Sequence, residues 1–449
     1  MIGHVPGVTP MKTNRLTALS MMFAAALTFA ASGGTDAKAA STEARLIASD
    51  EPGWPQFRGP RRDGISDERG LLSEWPSTGP TALWTVTNLG RGFSSPVFST
   101  NQLFITGDVG DQLHLVALDL AGKTLWTATN GASWKDPYPG ARATAAYNRG
   151  RVYLQNAHGR VAAFDAATGG EVWAVNLLET FDGKNITWGL SECLLVDAKV
   201  VYAVAGGGDA LVVALDKATG KTQWKSPPLI DSGAEKTVEN ASYVSPILVE
   251  YAGRRLVIGC SLRHLFAVDA NDGRLVWTKR MSTTYNVLAM MPTFLGGGVF
   301  MTAPHGPPGR FYRFTPPAKP GGDPGVEEGW TSKLETCQAS LVHVDGRLYG
   351  SFYQGRKGWA AVDTKTGETL FTEPDFVKGA VLWADRRLYA YSEDGWLRLL
   401  NPAPEKFEVK GQFRFAEARN DAWAHPVILN GRLYIRYHEK LVCFDVKPK

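Results

Sequence analysis

Side chains able to do chemistry are spread thinly along this 449-residue chain. Arg142, Trp188, Glu192, Trp423 and His425 fall near the starts of apolar strand segments, as do Ser95, Thr144, Tyr243, Ser245, Gln338 and Ser340. Such a polar and aromatic set suits ligand binding if the fold gathers it. Signatures of nucleophilic or zinc hydrolysis are missing: the sequence has no G-x-S-x-G, no H-E-x-x-H and no placed triad. Cys193, Cys260, Cys337 and Cys443 are far apart and form no C-x-x-C pattern, which excludes covalent haem attachment. They read as free, buried thiols. The balance of 48 basic against 44 acidic residues gives a net charge of +4 with no long run of one sign. Nucleic acid and anionic membrane surfaces are therefore not the expected partners.

The elements that must position these residues are announced by a repeat. Residues 163–173, Ala-Phe-Asp-Ala-Ala-Thr-Gly-Gly-Glu-Val-Trp, read as strand, tight turn, strand. Asp bonds the backbone N–H groups just ahead of it and Gly takes φ > 0, so the pair closes a hairpin. The pattern returns from Asp216 to Trp224, Asp269 to Trp277 and Asp363 to Phe371 with the same spacing of eight, and from Asp119 to Trp126 with one residue fewer. Five copies define a repeat architecture. A second-strand cue recurs eight times, at Leu103-Phe104, Arg151-Val-Tyr153, Val200-Val-Tyr202, Leu256-Val-Ile258, Val299-Phe-Met301, Arg347-Leu-Tyr349, Arg387-Leu-Tyr389 and Arg432-Leu-Tyr434. The last repeat stops at Asp445 without its closing aromatic strand, whereas residues 81–87 hold such a strand with no repeat before it. Joining the two ends closes a ring and removes sheet edges. The sequence thus predicts an all-β, eight-bladed β-propeller of four-stranded antiparallel blades over residues 81–449. The fifth repeat lacks the Asp-Gly turn and carries a Pro/Gly-rich insertion over residues 304–325; the seventh has Asn401 in the Asp place.

Residues 1–39 read as an export signal: a basic start at Lys12 and Arg15, an apolar run from Leu16 to Ala30, and an A-x-A cleavage site at Ala37 to Ala39. Met11 is an alternative start. The apolar run is short for a membrane span, so the mature chain is expected to lack an integral membrane segment and to be periplasmic or secreted. Residues 40–80 form an irregular arm rich in Pro, Gly and aromatic residues, expected to pack on a surface by its rings, with Arg58, Arg61 and Arg62 in a solvated basic loop.

At the A-x-D-x-x-T-G-x-x-x-W pattern the chain resembles the pyrroloquinoline quinone (PQQ) repeat propellers. With its Trp54-Pro-Gln-Phe-Arg-Gly-Pro60 arm, continued to Ser66, and Arg91-Gly-Phe-Ser-Ser-Pro96, it is most similar to a secreted subgroup. The resemblance covers residues 81–449. That family includes PQQ- and Ca²⁺-dependent alcohol and sugar dehydrogenases as well as a non-catalytic accessory of outer-membrane barrel assembly, so fold does not choose function. The dehydrogenase reading implies Glu192 with Asn240 as the Ca²⁺ pair, Arg142 as anion partner of the quinone, Trp188 or Trp423 as stacking platform, His425 nearby and Asp421 as base. Against it, the chain has no Cys-Cys pair and no well-placed aspartate base. Glu192 reads equally as an acceptor of backbone N–H groups at a blade junction, and His425, just before Pro426, as a hydrogen-bonded structural residue. The expected function is an exported, monomeric, non-catalytic binding or scaffold propeller for an envelope protein or polymer; the alternative is a quinoprotein dehydrogenase acting on a small alcohol or sugar.

Overall fold

The repeats assemble into eight antiparallel sheets arranged as propeller blades. The computed structural model describes residues 43–233, 236–355 and 357–448; the export signal read at residues 1–39 lies outside them. Blade 1 runs Val97–Phe98, Gln102–Val109, Gln112–Asp119, Thr124–Ala132, and blade 2 runs Ala146–Asn148, Arg151–Gln155, Arg160–Asp165, Glu171–Asn176. The first strands of successive blades touch, placing them innermost around the axis. Blade 8 takes Val427–Leu429, Arg432–Tyr437 and Lys440–Asp445 from the C-terminal end and its outer strand, Thr81–Val86, from the start of the ring, with Trp84 opposite Cys443. The ring closes as the repeat count requires.

The turn chemistry explains why the pattern recurs. Asp165 Oδ1 accepts from the Ala167 and Thr168 N–H groups and from Thr168 Oγ1, and Asp216 and Asp363 do the same in their turns. The following glycine takes φ between +72° and +79° in these three turns. A second reason for glycine is packing between blades. Trp126 lies over Gly169 of the next blade, Trp173 over Gly220 and Trp224 over Gly273, each so close that a Cβ would fall under 3.0 Å from the indole. Trp84, Trp126, Trp173 and Trp224 also donate their indole N–H to a carbonyl of the neighbouring blade, at 3.0 to 3.2 Å. These four tryptophans are inter-blade fasteners.

Blade 5 differs from its sequence reading. The 304–325 segment is not one loop, because Gly309–Thr315 is the third strand of the blade, paired with Gly298–Met301 and Gly325–Ser332. Phe311, Tyr312 and Phe314 are buried there, and Phe311 stacks on Trp330 at 5.4 Å. Apolar burial supplies what the missing Asp turn does not.

Blade 7 has no fastener of its own. In the blades with an Asp turn the aromatic stands opposite the strand residue two before the Asp, as Trp173 stands opposite Ala163; in blade 7 Gly411 faces Leu399. Trp75 from the arm covers that gap. Its N–H bonds Lys410 O at 2.8 Å, and a Cβ on Gly411 would meet Trp75 within 3.0 Å. The Trp75 ring packs on Tyr389 at 5.7 Å. Trp84, Trp126, Trp173, Trp224 and Trp330 pack on the matching second-strand aromatic of their own blades at 5.4 to 6.1 Å.

The rest of the arm enters the ring. Arg45–Leu46 adds a fifth strand to blade 4, pairing with Ile247–Tyr251, so the arm is not free of strand structure. Phe98 and Tyr147 donate to Trp54 O and Pro55 O, and Gly64 and Ser66 exchange bonds with Trp383. Arg58 and Arg62 are 3% and 4% exposed, which overturns the solvated basic loop. Arg62 donates to the carbonyls of Cys193 and Leu194, and Arg58 to those of Asp63 and Leu341. Backbone carbonyls, with Gln56 Oε1 and His425 Nδ1, take up the Nη groups of both guanidiniums, which lets the charges be buried, while Arg62 Nε has no hydrogen-bond partner among the described residues. Arg61 alone keeps a partly exposed carboxylate pairing, with Asp63 and Asp67. The arm bonds the inner strands from the end where they finish, and thereby plugs the axis.

Candidate functional site

At the other end of the axis, where the first strands begin, lies a cavity of about 470 Å³. Its frame is an arc of bonds made by the residue two before the first strand in five successive blades. His425 N–H donates to Ser95 Oγ (3.0 Å), Ser95 N–H to Thr144 Oγ1 (2.9 Å), Thr144 N–H to Cys193 Sγ (3.2 Å) and Cys193 N–H to Ser245 Oγ (2.9 Å). The chain runs from blade 8 through blades 1, 2 and 3 to blade 4, and Cys193 serves in a hydroxyl's place. All four cysteines are free and buried.

Phe57 of the arm and His425 floor the cavity, in edge contact at 4.9 Å. Three aromatic groups form the walls. Phe93 packs on Trp423 at 4.7 Å with Tyr138 edge-on at 5.4 Å; Trp188 meets Tyr243 at 5.7 Å; Tyr285 and Tyr353 flank His305 at 5.0 and 5.7 Å. Blade 5 contributes Val287, Ala289 and Met291. Among the described lining residues there is no aspartate, glutamate or lysine, and Arg142 is the one permanent charge.

Arg142 sits over Trp134 at 5.2 Å, and its Nη2 donates to Pro137 O and Tyr138 O at 2.8 and 2.9 Å. Burial draws its pKa down to about 10 against the pull of Asp108, so it stays protonated at neutral pH. His425 accepts from Arg58 at Nδ1 (3.2 Å), which puts its proton on Nε2, facing Gln338 O at 3.1 Å. Burial, then Arg58, lowers its pKa to about 3, and the ring is neutral. It anchors the plug to the ring.

Trp188, Trp423, Arg142 and His425 are thus brought together, while Glu192, Asn240 and Asp421 are not among the lining residues. Just before the first strand of blade 3, Glu192 turns away from the cavity that its neighbours Ser191 and Cys193 line. Glu192 is 1% exposed and its Oε2 accepts the Val204 N–H at 2.9 Å. Burial pushes its pKa up to about 8, so it holds a proton at pH 7. A carboxyl raised in the folded state above its unfolded value of about 4.3 costs stability as pH climbs between those two values. Glu192→Gln keeps the acceptor and removes the titration. Its thermal midpoint is expected to exceed that of the parent at pH 8 and to match it near pH 4.5, checked by calorimetry across that range. Asp421 accepts from His438 Nε2 at 2.8 Å and Tyr437 OH at 3.0 Å; burial raises its pKa, but these bonds outweigh it and leave the carboxyl below its ordinary range.

The sequence reading missed Phe93, Tyr138, Tyr285, His305 and Tyr353, which lie in loops without periodicity; only Phe93 stood inside a noted motif. Of two neighbouring methionines before the first strand of blade 5, Met291 lines the cavity and Met290 is core.

A separate cluster, Asp231, Glu239 and His264, brings possible metal ligands within 4.8 Å of one another. Arg263 already pairs with Glu239 at 2.6 Å and Asp231 at 3.2 Å, and Arg280 with Asp231 at 3.0 Å. Two guanidinium groups occupy the charge a metal would need, so the cluster is an ion-pair network.

The fold and this cavity define a PQQ-repeat propeller closed at one end of its axis. The family model for the outer membrane protein assembly factor BamB matches residues 65–244 and 112–300, together more than half of the sequence. The chain belongs to that family. It is similar to the BamB of Burkholderia pseudomallei (strain K96243), 28% identical over 214 residues covering 47% of this chain and 51% of that protein. The BamB of Moranella endobia (strain PCIT) is 25% identical over 252 residues, 54% of this chain and 57% of that one. The chain thus spans about half the length of the curated relatives it matches. Among solved structures, BamB from Moraxella catarrhalis aligns at TM-score 0.57 and 15% identity over 82% of this chain and 98% of that one. Quinohemoprotein alcohol dehydrogenase from Comamonas testosteroni aligns at 0.59 and 15% over 89% and 81%. At these identities the likeness is one of fold.

The residues present do not fit a Ca²⁺-bound quinone. Ca²⁺ takes six to eight oxygen ligands, carboxylates foremost, and the described lining has none, while Glu192 is protonated behind the wall. No helix among the described residues is long and apolar enough to cross a membrane.

Proposed function

We propose that the chain is an exported, non-catalytic binding or scaffold propeller of the cell envelope, periplasmic or secreted, that offers its rim and loops to an envelope protein. The observation that carries this reading is the cavity's lining: a Ca²⁺-dependent quinone dehydrogenase needs carboxylates there to hold the metal and serve as base, and the described residues supply aromatic rings, small hydroxyls and one guanidinium instead. Family membership supports it, since the relatives are named as factors of outer membrane protein assembly. The test is depletion of the protein in its own host, with the outer membrane then assayed for folded β-barrel proteins by heat-modifiable gel mobility. A reduced folded fraction, restored by the parent chain, is the expected result. Unchanged assembly together with dye-linked oxidation of alcohols or sugars by the purified chain would overturn the reading.

A further inference from the structure

The cavity has features that scaffolding does not require. It is a blind funnel, floored by the arm's Phe57, with a volume in the range of small-molecule pockets. Its walls are rings: Phe93 and Trp423 on one side and Trp188 and Tyr243 on another. Tyr138 and Tyr285 are 56% and 61% exposed, large aromatics left toward solvent with no protein surface over them. Surfaces of this kind favour a flat or apolar body.

The charge is one-sided. Arg142 lines the funnel, and two carbonyls engage only its Nη2; among the described residues no group bonds Nη1. Its nearest charged counterpart, Asp108, lies outside the lining and makes no ion pair with it within 4.0 Å; burial pushes that carboxyl up to about 6. Glu393, behind Gln338, accepts from Gln338 Nε2 at 3.0 Å and faces Lys378 at 3.6 Å, so its charge is met within the wall. An anion in the funnel therefore meets a protonated guanidinium and no facing carboxylate, whereas a cation finds no partner. Sugars fit less well, because polar atoms that would grip several hydroxyls are used within the protein: Ser245 and Thr144 accept the backbone N–H groups of Cys193 and Ser95, and Ser191 donates to Tyr243 O.

We infer that the funnel is a binding site for a small amphiphilic monoanion, one carboxylate or sulfonate on a flat apolar body, with Arg142 holding the charge and the Trp423 and Trp188 walls holding the body. The test of this site reads small-molecule binding by the purified chain and does not depend on the proposed scaffold role.

The probes are 1-anilinonaphthalene-8-sulfonate and its uncharged counterpart N-phenyl-1-naphthylamine, titrated by fluorescence into the full chain, Arg142→Gln, Arg142→Lys and Trp423→Ala. The expected result is saturable binding of one sulfonate per chain, weakened about tenfold or more in Arg142→Gln, the scale of one charge-assisted hydrogen bond. Arg142→Lys is expected to retain most of it. The neutral probe is expected to bind the parent and Arg142→Gln equally, which also shows that the variant is folded, and Trp423→Ala to weaken both probes. Displacement by 1-naphthoate but not by glucuronate supports the apolar body. The inference is overturned by equal sulfonate binding to the parent and Arg142→Gln, by displacement with glucuronate alone, or by no saturable binding up to about 100 μM.

Discussion

Trp75→Ala is expected to lower stability by about 3–5 kcal/mol, the cost of emptying a buried aromatic site. Trp75 is 6% exposed and touches Tyr389 and Phe413 as well as the Gly411 backbone. Its indole N–H is buried without a partner, so the loss is one of packing alone. The consequence is local as well as global. Blade 7 loses the ring packed on its Tyr389 and Phe413, and its outer strand, Phe407–Arg414, is expected to lose hydrogen-exchange protection first. Calorimetry and exchange mass spectrometry check the two effects together. Exchange spread evenly over all blades, or a change under about 1 kcal/mol, would show that Trp75 merely rests on the surface.

Arg58→Ala is the second large effect. The guanidinium bonds Asp63 O, Leu341 O and His425 Nδ1. Removing it strands two carbonyls and a ring nitrogen in the interior, at about 1–3 kcal/mol for each group that water cannot reach. We expect a total of about 3–5 kcal/mol, the scale for breaking a buried polar network at one member. Arg58→Met is expected to cost less. The cation itself is buried, its pKa drawn down to about 10, and a methionine fills the space without that burden. Both variants remove a positive charge next to His425, so the histidine is expected to titrate higher than in the parent, read by NMR of the ring protons. An unchanged histidine titration would mean that Arg58 is not the floor contact described.

The ring of blades could be read from the sequence because its causes are local. Asp165, Thr168 and Gly169 make their turn within five residues, and Trp126 needs only that such a turn recur one blade on. Strand closure was legible for the same reason, since Thr81–Val86 carries the fastener Trp84 without the strands that normally precede it. The arm was not legible. Arg58 and Arg62 are held less by ion pairs than by the carbonyls of Leu341, Leu194 and Cys193, residues more than 130 positions away. Trp75 fills a gap defined by Gly411, and no pattern within either segment announces the other. At the site, Arg142, Trp188, Trp423 and His425 could be located from the starts of inner strands. Glu192 could not be placed, because one step along an extended chain turns a side chain to the opposite face. Tyr285 and Tyr353 come from loops whose course is set by the blades they join.

The account rests on a funnel without carboxylates, and the most direct measurement is calorimetric titration of the purified chain with PQQ in the presence and absence of Ca²⁺. The expected result is no Ca²⁺-dependent binding at cofactor concentrations up to about 100 μM, and no dye-linked alcohol or sugar oxidation. Because Arg142 can hold a carboxylate by itself, weak binding that Ca²⁺ leaves unchanged and Arg142→Gln abolishes is compatible with the account. Saturable one-to-one binding that requires Ca²⁺ and is lost in Glu192→Ala would contradict it and place a metal-bound quinone where the structure buries a carboxyl against the Val204 N–H.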